Sequence, residues 1–149
     1  MRALLVALLL LAAAPAARAQ EPAQEAERWL RLFVEQGVGA FLDAILAETA
    51  LGEAAAARRY IQDNRARWIR DVESYGVPID LVPAGERHYA PVLKTLCYVV
   101  RYRRSPLLFS FRFYRTPRQW ELVHDAWHGT DLHSNWECAA AAAVQPARN

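Results

Sequence analysis

Residues 92–103 read VLKTLCYVVRYR, residues 107–115 LLFSFRFYR and residues 119–127 QWELVHDAW. β-branched and aromatic side chains dominate all three runs, and apolar residues recur at every second position. The intervening Arg104-Ser105-Pro106 and Thr116-Pro117-Arg118 put proline only where a ladder ends. The reading is three antiparallel strands joined by two tight turns.

Parity assigns the faces. Tyr98, Val100 and Tyr102 share one side of the first strand, as Phe109, Phe111 and Phe113 do on the second. These are the predicted core face, and Cys97, Val99, Arg101, Ser110, Arg112 and Tyr114 point to a mixed, half-wet face. On the third strand Trp120 and Leu122 share parity, whereas Trp127 has the opposite one. A β-bulge around Val123-His124 returns Trp127 to the core side and aims Asp125 inward. Trp120 is expected to start this strand with its ring buried against helices.

Upstream, residues 21–50 read helical, with Pro22 in the first turn and Trp29, Phe33, Ala40 and Ala44 at steps of four or seven. Gly37 and Gly39 soften the middle, and one long helix with a soft point is expected. Gly52 breaks the pattern. A second helix over residues 53–75 carries Ala57, Ile61, Trp68 and Val72 on one stripe and ends at Gly76. Residues 77–90 suggest a first, irregular strand interrupted at Pro83-Ala84-Gly85. The predicted fold is α+β: N-terminal helices packed on a curved, four-stranded antiparallel sheet in a cone-like domain.

Residues 1–19 have the form of a secretion signal: Met1-Arg2, an apolar run too short to span a bilayer, then Ala17-Arg18-Ala19 before Gln20. This predicts one domain over residues 20–138, a partly disordered tail over residues 139–149, and a periplasmic or extracellular location. Two of the 18 basic residues, Arg2 and Arg18, leave with the signal, so 16 face 16 acids in a neutral chain that does not suit nucleic acid. No transmembrane segment is expected in the mature chain. With two cysteines and no Cys-x-x-Cys pair, a Cys97–Cys138 disulfide is the default in an oxidising compartment. The tail must then fold back over the outer face, laying Trp136 against Val99.

Helices followed by a bent sheet, with Phe113-Tyr114-Arg115, Trp120-Glu121-Leu122 and a closing Thr130-Asp131-Leu132, resemble the nuclear transport factor 2-like superfamily, in particular its small secreted bacterial members. The resemblance spans residues 24–132. It implies a cone with a pocket between sheet and helices. Some members are isomerases, dehydratases or cyclases, and many bind ligands or dimerise. Enzymatic members place an Asp–His pair, or an acid with tyrosines, in the cone.

Asp125 is the sharpest candidate for chemistry, since burial near Tyr98 or Tyr102 would raise its pKa as a general base requires. His124 and Asp125 are strand neighbours and face opposite sides unless the bulge intervenes. His124 and His128 stand about 13 Å apart on a strand and cannot share a metal ion. Neither a metal nor any other cofactor is expected. The arginines at 101, 103, 104, 112, 115 and 118 are expected to guard the sheet surface and to pair with acids such as Glu121. The leading expectation is a non-catalytic protein that binds a small apolar or amphipathic ligand, or a partner such as a second copy of itself, with Tyr98, Tyr102, Asp125 and Trp127 lining the site. The alternative is a small lyase or isomerase using Asp125.

Overall fold

The computed structural model describes residues 21–128 and Cys138. The expected signal over residues 1–19, the closing Thr130-Asp131-Leu132, Trp136 and the tail lie outside these residues. Four helices precede four strands: α1 (Pro22–Gln36), α2 (Val38–Glu48), α3 (Ala50–Glu53), α4 (Ala55–Glu73), then β1 (Pro78–Ala90), β2 (Leu93–Tyr102), β3 (Leu107–Arg115) and β4 (Trp120–His128). The strands pair in chain order as one antiparallel, curved sheet, so the fold is α+β.

The one long helix is corrected to a helical hairpin. Gly37 adopts φ 86° and ψ 178°, a conformation that side chains other than hydrogen rarely reach. The chain reverses there. Trp29 Nε1 donates to Glu48 at 2.9 Å and Arg28 pairs with the same carboxylate, whereas a straight helix would hold these positions about 30 Å apart. Trp29 and Phe33 from α1 and Phe41 and Ile45 from α2 therefore converge on the sheet.

Gly52 lies inside the short α3 rather than ending a helix, and a Cβ there would stand 1.7 Å from the Leu46 carbonyl oxygen. In α4, Ile61 and Val72 are buried and Ala57 and Trp68 half-buried, as the stripe requires. Gly76 closes α4 with φ 89°.

β1 is not interrupted at Pro83-Ala84-Gly85. It runs for 13 residues and absorbs three register shifts, at Ile79, Ala84 and Tyr89. A bulge leaves one residue unpaired but lets the ladder resume, which is how an irregular sequence still makes a continuous, twisted edge.

The core face matches parity: Tyr98, Val100, Tyr102, Phe109, Phe111, Phe113 and Leu122 are all buried. Trp29 stacks parallel to Phe113, and Phe33 meets Phe109 edge to face at 4.9 Å. The outer face is mixed as expected, exposed at Arg101, Arg103 and Tyr114 and buried at its centre, where Thr95, Cys97, Leu108 and Ser110 lie near Cys138, bonded to Cys97. One expectation needs correcting. Trp120 does start β4, but it is half-buried, flanked by Lys94 at 5.0 Å and Arg115 at 5.6 Å.

Candidate functional site

The β4 register decides where chemistry can occur. Arg112 faces His124 and Phe113 faces Leu122, leaving Val123 as the extra residue of a bulge. Beyond it Asp125 pairs with Phe111 and Trp127 with Phe109, both core-facing phenylalanines. Asp125 and Trp127 therefore point to the helix side. By strand alternation the side chain of His124, one residue earlier and exposed, leaves β4 on the opposite face from Asp125, although the residue also borders the cleft beside it.

The centre of the cone is filled by Trp29, Phe109 and Phe111. At its side, a cleft of about 350 Å³ opens between α2, α3, α4 and β4. Leu42, Leu51, Ala57 and Ile61 make its apolar wall, and Tyr60, Trp68 and Trp127 its aromatic one. Trp68 meets Trp127 at 5.0 Å and 75°, and Tyr60 meets Trp68 at 5.6 Å and 68°. Phe41 and Phe109 brace Trp127 from the core side, each at 5.9 Å.

Asp125 supplies the cleft's carboxyl. Burial among these apolar groups pushes its pKa up to about 6, only partly offset by a hydrogen bond from its own backbone. The residue as a whole is half-buried, and its carboxyl lies enclosed among the apolar groups of the cleft. Among the described residues no Lys or Arg borders the cleft.

Tyr98 and Tyr102 are not brought to Asp125. The Tyr98 hydroxyl donates to the Ala23 carbonyl of α1 at 3.4 Å. Tyr102 packs on Tyr75 at 5.6 Å and lines a separate cleft with Phe33, Val38, Ile69 and Val72. Burial pushes both phenols up to about 12, so each stays a protonated structural side chain at neutral pH. The residues that sequence reasoning missed are Tyr60 and Trp68, both on α4. Helical periodicity gives Trp68 only as a core-stripe residue, and Tyr60, 60% exposed, lies outside that stripe.

A larger cleft, about 1140 Å³, lies between the start of α1, the end of α2, α3 and the start of β4. Of its carboxylates, Glu21 and Glu53 are exposed, Glu48 is held below the usual range by Arg28 and Trp29, and Glu25 is raised by partial burial beside Glu48. The smaller cleft is therefore the better candidate. Among the arginines, Arg101 pairs with Asp80 rather than Glu121, and Arg112 and Arg87 lie over Tyr89. Among the described residues no three His, Cys, Asp or Glu side chains converge as metal ligands, and no helix is long and apolar enough to cross a membrane. Comparison with protein-family models, curated proteins and solved structures returned no match.

Proposed function

We propose that this is a secreted, non-catalytic protein that holds a small amphipathic ligand in the cleft between α4 and β4. The single observation behind this reading is the inward Asp125 carboxyl, which borders a cavity with an apolar and aromatic wall. A cleft of this volume lies at the small end of ligand sites, and its few polar groups on an apolar lining are the usual pattern. The Cys97–Cys138 bond is consistent with a periplasmic or extracellular life. The resemblance to the nuclear transport factor 2-like superfamily agrees with a ligand between helices and sheet, although this cleft lies beside the filled centre of the cone.

Native mass spectrometry of protein recovered from an oxidising compartment tests the reading. A small co-purifying mass is expected on the native chain and should be absent from Ala57→Phe, whose ring would fill the cleft. An unliganded native chain, or a mass retained by that variant, contradicts the assignment.

A second reading, a small lyase or isomerase, draws on the same carboxyl. A pKa near 6 suits a general base working close to neutral pH. Release of a chemically altered ligand by the native chain, but not by Asp125→Asn, would favour it.

A further inference from the structure

Resting on the cleft as a ligand site, the geometry points to a compact organic cation, an ammonium group on a small apolar body, as the class of ligand it takes. Three observations combine. The Asp125 carboxyl is enclosed and meets no cationic side chain among the described residues. A carboxylate in that position lacks a counter-charge, and a bound cation would provide one. Next, Trp68 stands nearly perpendicular to Trp127 and to Tyr60, so the rings form a corner rather than a flat wall. Steeply angled aromatic faces around a site attract alkylammonium groups through the negative face of each ring. Finally, Leu42, Leu51, Ala57 and Ile61 leave apolar space for the rest of the ligand.

An anion is disfavoured by the same inventory. The titratable groups on the lining, among the described residues, are Asp125, His124 and Tyr60, and none of the five arginines of α4 lines the cleft; two of them make contacts elsewhere. Arg58 donates to the Gly52 carbonyl at 2.7 Å, and Arg65 to Asp43 at 2.8 Å. A neutral apolar ligand would suit the aromatic corner but would leave the enclosed carboxyl without a counter-charge.

Benzyltrimethylammonium and its neutral carbon isostere, neopentylbenzene, separate these cases because they differ in charge and hardly in shape. Binding to the full secreted chain is read at about pH 8, where Asp125 is ionised, from the indole N–H resonances of Trp68 and Trp127. The cation is expected to bind at least about tenfold more tightly than the isostere, from a charge-assisted contact plus ring contacts. Asp125→Asn should remove that preference, and Trp68→Leu should weaken the cation by about tenfold, with thermal melts showing that both variants fold. Equal binding of both probes, or a preference that survives Asp125→Asn, overturns the cation assignment while leaving a ligand cleft standing. Failure of both probes to perturb either indole overturns the cleft reading as well.

Discussion

Above about pH 6 the Asp125 carboxyl is ionised in a site that solvates it poorly, and that has a sign that can be measured. Its folded pKa lies above the unfolded value near 3.8, so between the two the folded chain keeps a proton that the unfolded chain has lost. Stability therefore falls as pH rises through this window, and the loss is complete above about pH 6. Asp125→Asn should stabilise the fold by about 2 kcal/mol at pH 8, a figure kept below the full linkage value because the residue retains some contact with solvent. Near pH 4 the gain should almost vanish, since the carboxyl is then protonated in the native chain. Urea unfolding of both proteins at the two pH values reads the difference. A gain independent of pH would mean that the carboxyl is solvated after all.

Two glycines fail for different reasons when replaced. At Gly52 an added Cβ would stand 1.7 Å from the Leu46 carbonyl oxygen, which is backbone and cannot swing aside. At Gly37 no atom lies within 4 Å of the added Cβ, and the obstacle is φ 86° itself. Gly52→Ala should cost about 3 kcal/mol and shift α3 from α2, whereas Gly37→Ala should cost about 1–3 kcal/mol with the hairpin kept. Chemical denaturation ranks the two; a near-neutral Gly52→Ala would place α3 elsewhere.

The α1–α2 hairpin joins at Glu48, where two interactions of unequal weight meet. The Arg28–Glu48 pair is about 40% exposed on either side, and such pairs contribute little. The Trp29 indole N–H is different, because its ring is 1% exposed and stacks on Phe113. Removing its acceptor strands a donor at the edge of the core. Glu48→Ala should cost about 1–2 kcal/mol and Glu48→Gln, which keeps an acceptor oxygen, much less. Raising the salt concentration should change the Glu48→Ala penalty little. A penalty that disappears in high salt would assign it to the ion pair instead.

The strand half of this architecture was readable because period-two alternation survives local defects. The clash of parity between Leu122 and Trp127 was enough to locate the Val123 bulge, and with it the inward turn of Asp125. The helical half was less so. Helical periodicity restarts after a reversal, so Trp29, Phe33 and Ala44 look the same on one helix as on two, and only the φ of Gly37 separates the cases. β1 carries three shifts in 13 residues, which erases the alternation that would have marked it as continuous. At the site, Asp125 and Trp127 could be named from strand parity. Tyr60 and Trp68 come from a helix some 60 residues earlier, and no local pattern says that a stripe residue will border a cavity rather than fill the core. Tyr98 and Tyr102 share the correct face but sit toward α1 and Tyr75, which strand parity does not encode.

One covalent bond ties the sheet together from its outer side. Cys97 in β2 is bonded to Cys138, and the enclosed loop carries β3 and β4 entire. Both cysteines are buried, at 1% and 3% exposure, so the bond also forms part of the covering of the outer face. With 41 residues separating the two cysteines, cross-linking the unfolded chain removes entropy worth about 4 kcal/mol. For a domain of this size that is a large share of the expected stability. Reduction should therefore lower the unfolding free energy by about 4 kcal/mol and move the urea midpoint without disturbing the paired strands near it. The Cys97→Ala, Cys138→Ala double variant should lose more than the reduced protein, because it forfeits buried sulfur contacts as well as the cross-link. That ordering distinguishes the two contributions. If the reduced and alanine forms are equally unstable, packing of the sulfurs contributes nothing and chain entropy is the whole effect. If reduction costs under about 1 kcal/mol, the unfolded chain must already hold these strands close, and the loop-closure argument fails for this protein.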